Sequence, residues 1–147
     1  MKPGYILIVD DDKDAREILS IIVKGMEYSY RTASDGSLAL EEIKKESPSL
    51  ILLDLMMPGM DGFEVLTRLR SDTRTRYIPV IVVTACSQDQ INLLRLPGVK
   101  DVVQKGKILC LKQLIPQCME PERNPFMSKQ IDPVSPVEES ASIIQLN

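Results

Sequence analysis

Polar side chains stand directly after three unbroken apolar runs of the sequence. The runs are 5–9, 50–53 and 80–83, and the residues that follow them are Asp10 with Asp11, Asp54, and Thr84. Runs without polar alternation are typical of parallel strands that are buried on both faces. Sites in open α/β sheets form at the carboxyl ends of the strands, so we expect these side chains to converge there.

Three carboxylates in one crevice repel one another and raise their pKa values unless a cation lies among them. Mg²⁺ is the expected ion because it takes oxygen ligands, keeps several waters and needs few protein groups. Lys105 follows a weaker candidate strand at 101–104 and reaches the same edge. A carboxylate nucleophile, a metal ion, an ammonium and the Thr84 hydroxyl together suit phosphoryl transfer.

Each of these residues taken alone has an ordinary structural explanation. An aspartate after a strand is more often a turn residue or a helix cap, and a lone lysine is usually solvated. Asp12 and Asp14 are best explained in this way, as turn and first-helix residues that favour the helix dipole. The functional prediction therefore depends on the spacing of all these residues, taken together, relative to the predicted strands.

The composition excludes several kinds of site. The 147 residues include no histidine, which excludes Ser-His-Asp and Cys-His nucleophiles and His-ligated metals. Three cysteines without CxxC spacing predict reduced, half-buried thiols. The net charge of −3 predicts no nucleic-acid partner, and no apolar run approaches the ~20 residues of a membrane span. Since the start is not a signal peptide, we expect a cytoplasmic protein with no membrane partner.

Amphipathic segments alternate with the apolar runs. Helical spacing predicts helices at 14–26, 35–45, 62–70, 88–96 and 107–119, and a further weak strand at 28–33. Ile18 and Leu19 are among the apolar residues at helical spacing in the first helix, and Leu38 and Ile43 are predicted to face inward in the second. The predicted caps of the second, third and fourth helices are Ser34 or Asp35, Asp61, and Ser87, and Pro116 is expected to kink the last helix or end it early. Five strand–helix repeats predict a three-layer α/β/α sandwich with a five-stranded parallel sheet. Residues 1–119 are predicted to form this domain, and the Pro/Ser/Glu-rich residues 120–147 a mostly disordered tail.

Three segments closely resemble the receiver domain of two-component response regulators. They are ILIVDDD at 6–12, DLMMPGMDG at 54–62 and PVIVVTA at 79–85. The resemblance covers about residues 4–119 and implies a flavodoxin-like, doubly wound (βα)5 fold.

The resemblance also implies a role for each residue of the constellation. Asp54 would be the phosphoacceptor, and Asp10 and Asp11 would complete an acidic pocket. Mg²⁺ would be bound by Asp11, Asp54 and the backbone carbonyl of Met56, with an indirect contribution from Asp10. Thr84 would contact the phosphoryl group, and Lys105 would pair with it.

The sequence departs from the family pattern at two positions. The lysine is usually followed by proline in a cis peptide, whereas Gly106 follows Lys105 here. A cis bond before a non-proline residue costs about 3 kcal/mol, so a trans bond is expected. The aromatic residue that often stands two positions before the lysine is replaced by Val103.

The leading hypothesis is a single-domain response regulator, a phosphoacceptor with Mg²⁺-dependent self-phosphorylation and autodephosphorylation rather than an enzyme. The resemblance implies a histidine kinase or His-phosphotransfer protein as donor and an unidentified protein as downstream target, and leaves a phosphorylation-dependent homodimer open. The alternative is a receiver-like adaptor that binds partners without phosphorylation, as Val103 and Gly106 would allow. A haloacid-dehalogenase-type phosphatase is disfavoured because Met56 stands where that mechanism needs a second aspartate. A flavin carrier is disfavoured because no Ser/Thr/Gly-rich loop follows the first apolar run.

Overall fold

The computed structural model describes residues 2–120. Its strands are β1 Lys2–Val9, β2 Tyr28–Ala33, β3 Leu50–Leu53, β4 Val80–Thr84 and β5 Asp101–Gln104. Its helices are α1 Lys13–Gly25, α2 Gly36–Lys45, α3 Gly62–Ser71, α4 Gln88–Asn92 and α5 Leu111–Met119, and a 3₁₀ turn spans Lys105–Cys110. No helix in the described range is long and apolar enough to cross a bilayer.

The five strands form one parallel sheet in the order β2-β1-β3-β4-β5. The three unbroken apolar runs form the adjacent central strands β1, β3 and β4. Both weaker candidate strands, β2 and β5, are confirmed at the two edges of the sheet. All five carboxyl ends meet at one edge because every pairing is parallel.

The central strands are buried on both faces, which explains their unbroken apolar sequences. In β1, Leu7 and Val9 belong to one core cluster with buried residues of α2 and α3. Ile6 and Ile8 alternate with them, so they face the opposite side of the sheet, and they are equally buried. Helix α1 contacts β1 and β2 and buries Leu19 and Val23. Helices thus cover both faces, and the three-layer α/β/α prediction is confirmed.

Helix caps were predicted well, and helix faces less well. Asp35, Asp61 and Ser87 cap α2, α3 and α4, each accepting a hydrogen bond from a first-turn backbone N–H. The prediction for Leu38 is wrong, because α2 buries its other face and leaves Leu38 43% exposed. Ile18 is likewise exposed, at 48%.

The last two helices are shorter than predicted. Helix α4 ends at Asn92 rather than near residue 96, and it buries none of its residues. A helix is stabilised mainly by packing of an apolar face, so a helix without buried residues stays short. Lys107 takes a non-helical backbone conformation (φ −126°, ψ 32°), so the segment before Leu111 is a 3₁₀ turn rather than part of α5. Pro116, expected to kink or end α5, lies inside it.

The chain divides into two compact units after Lys112; the first carries the sheet and α1–α4, and the second begins within α5. The predicted domain end at residue 119 stays a prediction, and the tail at 121–147 lies outside the described residues. All three cysteines are free, as expected. Cys86 and Cys118 are half-buried, whereas Cys110 is exposed, contrary to prediction.

Candidate functional site

The carboxylates are carried by the ends of two neighbouring strands, β1 and β3. Asp10 follows β1, and its backbone N–H donates to Ala33 O in β2 at 3.2 Å. Asp54 follows β3, and its backbone N–H donates to Val9 O in β1 at 2.9 Å. Sheet hydrogen bonds therefore continue up to the acidic residues themselves and fix both backbones beside each other.

The structure brings the three predicted carboxylates together. One oxygen from each of Asp10, Asp11 and Asp54 lies within 4.8 Å of the others, and we call this group the acidic cluster. Asp10 is 0% exposed and Asp54 4%, whereas Asp11 is exposed to solvent. Two buried carboxylates and one at the mouth form an oxygen-only donor set that is open on one side.

Lys105 is the cation that the fold places against this cluster. Its Nζ lies 2.8 Å from Asp10 Oδ2 and 3.5 Å from Asp54 Oδ2. Burial alone would lower the pKa of Lys105, but Asp10 and Asp54 outweigh burial and raise it. The ammonium therefore stays charged. The Lys105–Gly106 bond is trans, as expected, since the described residues contain no cis peptide.

The electrostatics of Asp54 show that one lysine does not balance the acidic cluster. Burial, and then repulsion from Asp10, raise the pKa of Asp54 from 3.8 to about 6, although Lys105 and the Met56 backbone N–H act in the opposite direction. Near neutral pH, Asp54 is thus ionised at a free-energy cost that further positive charge would relieve.

A hard divalent cation fits this arrangement. Asp10 Oδ2 is buried, and its contact within residues 2–120 is the ion pair with Lys105 Nζ at 2.8 Å. Carboxylate oxygens are the ligands that Mg²⁺ and Ca²⁺ prefer. The acidic cluster therefore offers a buried carboxylate oxygen that is balanced by a single ammonium, an exposed carboxylate and uncompensated negative charge.

The loop after β3 is shaped by two glycines. A Cβ at Gly62 would lie 2.7 Å from Leu55 Cα and closer still to Asp54 O, so only glycine lets α3 begin this close to the strand end. Gly59 has a positive φ of 73°, which favours glycine. The Met56 backbone N–H donates to Asp54 Oδ1 at 3.3 Å and helps to orient that carboxylate.

Thr84 occupies the predicted place at the end of β4, but its hydroxyl has a local partner. Thr84 Oγ1 accepts a hydrogen bond from the Cys86 backbone N–H at 3.2 Å. It is fully buried at the same sheet edge as the acidic cluster. The Thr84 side chain is therefore tied to the loop after β4. The predicted residues that the structure brings together are Asp10, Asp11, Asp54 and Lys105.

Two polar residues near the site were missed by sequence reasoning. Gln104 Nε2 donates to Cys86 O at 3.2 Å and joins the end of β5 to the loop after β4. Arg16 Nη1 donates to the Asp10 backbone carbonyl at 2.8 Å. Asp12 behaves as predicted, since its side chain caps α1 by accepting from the Asp14 N–H.

Known proteins provide independent comparisons. The family model "Response regulator receiver domain" matches residues 6–108. The response regulator PleD of Caulobacter vibrioides is 45% identical over 80 residues, which cover 54% of this chain and 18% of PleD. The DNA-binding response regulator MtrA of Mycolicibacterium smegmatis is 39% identical over 101 residues, covering 68% of this chain and 43% of MtrA. The chain thus spans less than half the length of either curated relative.

A solved structure agrees in fold. The response regulator TrrA from Thermotoga maritima, determined in complex with Mg²⁺-BeF, has a TM-score of 0.70 and 28% sequence identity. The match covers 80% of this chain and 99% of that one.

Proposed function

Because the chain belongs to the response regulator receiver domain family, we propose that it is a phosphorylation-controlled switch of protein–protein interactions in which Asp54 accepts the phosphoryl group. The observation that carries this proposal is the meeting of three carboxylates with Lys105 at the carboxyl end of the sheet. Such a pocket combines a nucleophile with the means to balance phosphate charge.

The proposed reaction is a phosphoryl transfer to one Asp54 carboxylate oxygen. A new O–P bond forms as the P–N bond of a phosphohistidine breaks, and the imidazole leaves with the electron pair of that bond. When bound, Mg²⁺ would neutralise the oxygens of the transferring group. Lys105, which already contacts Asp10 and Asp54, would bind the same oxygens, and Met56 N–H would orient the nucleophile.

Mg²⁺ ligation is assigned in this proposal to Asp11, Asp54 and the Met56 backbone carbonyl, with Asp10 acting indirectly. The grouping of one oxygen from each of Asp10, Asp11 and Asp54 within 4.8 Å and the exposed position of Asp11 support the assignment. TrrA, which has the same fold, was solved with Mg²⁺-BeF bound. Thr84 is proposed to contact the phosphoryl group, which requires its hydroxyl to exchange the Cys86 N–H for a phosphate oxygen.

The phosphoryl donor is proposed to be a histidine kinase or a His-phosphotransfer protein, because the chain contains no histidine of its own. The downstream partner is proposed to be a protein. The single-domain character of the regulator stays a prediction, since PleD and MtrA carry the matched region within much longer chains.

One observation favours a second candidate, an adaptor that binds partners without phosphorylation. Val103 is 3% exposed and branched at Cβ, so this position offers no aromatic ring that could change rotamer when Thr84 moves. An adaptor of this kind would bind its partner equally well with Asp54 modified or unmodified.

A labelling experiment tests the phosphoacceptor. The full chain is incubated with acetyl phosphate and Mg²⁺, with or without EDTA, and its intact mass is measured. A gain of one phosphoryl group that needs Mg²⁺ and is absent in Asp54→Asn is expected. Asp89→Asn, an exposed aspartate in α4, is the matched control and should label like the wild type. No mass gain with Mg²⁺, or the same gain in Asp54→Asn, would overturn the assignment.

A further inference from the structure

Arg16 is a half-buried cation on the first helix that has no assigned role. It lies in the second turn of α1, and its guanidinium reaches back past the helix start to the residue that follows β1. Its Nη1 donates to the Asp10 backbone carbonyl at 2.8 Å. This contact lies one residue before Asp11, the exposed member of the acidic cluster.

The Asp10 carbonyl belongs to the peptide unit that joins Asp10 to Asp11. A peptide unit is planar, so fixing the direction of this C=O also fixes the N–H and Cα of Asp11. Asp10 is held on its other side by the bond from its N–H to Ala33 O, and its Oδ1 accepts from the Asp12 N–H at 2.9 Å. Arg16 therefore completes a set of contacts that leaves the acidic turn little freedom.

Asp11 needs this indirect support. Within residues 2–120, its carboxylate makes no hydrogen bond or ion pair, in contrast to Asp10 and Asp54, which Lys105 contacts. The direction of an exposed side chain without partners is set mainly by its backbone. Mg²⁺ tolerates little deviation from octahedral geometry, so a misplaced ligand costs affinity.

We propose that Arg16 is a positioning residue for the acidic cluster: it locks the Asp10–Asp11 peptide so that the Asp11 carboxylate is presented to the cation. This inference rests on the proposed Mg²⁺-dependent function. The choice of a backbone carbonyl as partner is central, because Arg16 thereby holds the turn without occupying any carboxylate oxygen. Lys105, in contrast, occupies the oxygens that a metal or phosphoryl group would approach.

A positioning role and simple electrostatics predict opposite changes in the Mg²⁺ affinity of Arg16→Ala. Removing a positive charge beside a cation site strengthens cation binding on Coulombic grounds alone. Loss of a positioning contact weakens it. Arg16→Ala is therefore expected to raise the Mg²⁺ dissociation constant about tenfold, whereas Lys13→Ala is expected to leave it unchanged or lower it slightly. Lys13 is exposed, carries the same charge and lies in the same helix one turn earlier.

The experiment is calorimetric titration of MgCl₂ into the full chain at a temperature well below unfolding, with thermal melts confirming that each variant is folded. Arg16→Lys, which keeps a charged donor, is expected to restore most of the affinity. In acetyl phosphate labelling, Arg16→Ala should need more Mg²⁺ for half-maximal rate but reach a maximal rate within about twofold of wild type.

Three outcomes would overturn the inference: wild-type affinity in Arg16→Ala, an equal loss in Lys13→Ala, or a folded Arg16→Ala whose maximal rate falls while its Mg²⁺ requirement is unchanged. Failure of the proposed function is distinguishable from these, because the wild type itself would then neither bind Mg²⁺ nor become labelled.

Discussion

Neutralising Asp54 should stabilise the metal-free protein. Its pKa is raised from 3.8 to about 6 by burial and by Asp10, so the folded state binds a proton more tightly than the unfolded state does. A raised carboxyl pKa means that stability is lost as the pH rises from about 4 through about 6 and stays lost above that range. Asp54→Asn removes this cost while keeping a side-chain oxygen for the Met56 N–H.

The expected size follows from the shift. About two pKa units correspond to roughly 3 kcal/mol at most. The variant also forfeits the 3.5 Å contact with Lys105 and buries an amide, so a net gain of about 1–2 kcal/mol is expected near pH 7.5. For a chain of this size, that gain raises the melting temperature by roughly 3–8 °C.

Thermal melts of wild type and Asp54→Asn in EDTA, at pH 7.5 and pH 4.5, measure the effect. The gain should be present at pH 7.5 and nearly absent at pH 4.5, and Mg²⁺ should stabilise the wild type more than the variant. Asp89→Asn, at an exposed position, is the control for the substitution itself. A variant no more stable than wild type at pH 7.5, or equally stabilised at both pH values, would refute the electrostatic reasoning.

Three further substitutions test other parts of the site. Lys105→Met should raise Mg²⁺ affinity modestly, because a competing cation leaves Asp10 and Asp54, but slow acetyl phosphate labelling about 10²-fold; calorimetry and intact mass measure the two effects. Gly62→Ala should destabilise the fold in urea melts by about 2–3 kcal/mol because its Cβ meets the β3 end, whereas Gly106→Ala, which has open space, should not. Thr84→Ala should still be labelled, with a stability loss near 1 kcal/mol from the unpaired Cys86 N–H.

The sheet was predictable because its strands are buried on both faces. Unbroken apolar runs as short as 50–53, which end at polar residues, favour buried strands over helices, and their carboxyl ends place Asp10, Asp54 and Thr84. Caps were predictable for a similar reason, since an Asp or Ser before an amphipathic segment has a specific hydrogen bond to make. These are local signals, and the structure confirms them.

Helix faces were less predictable because neighbouring positions differ by only 100° around the axis. Helix α1 buries Leu19 and Val23, four residues apart, so Ile18 falls just outside the stripe. Leu38 precedes the buried Ala39 in the same way. Just after α4, the apolar Leu93 is 81% exposed, whereas its neighbour Leu94 packs against the core cluster, and helical spacing alone does not distinguish the two.

The polar residues that sequence reasoning missed share a property. Each donates hydrogen bonds to backbone carbonyls. Arg16 donates to the Asp10 carbonyl and Gln104 to the Cys86 carbonyl, and the Arg70 guanidinium donates to four carbonyls in the segments before β4 and β5. Every residue has a carbonyl, so such a partner leaves no trace in the sequence, whereas a carboxylate paired with a lysine does. Reactive groups can therefore be recognised by residue type, but the groups that hold them in place become visible only when the backbone is known. A site that uses an exposed, unpartnered carboxylate such as Asp11 depends on the residues that hold its backbone in place as much as on the reactive groups themselves.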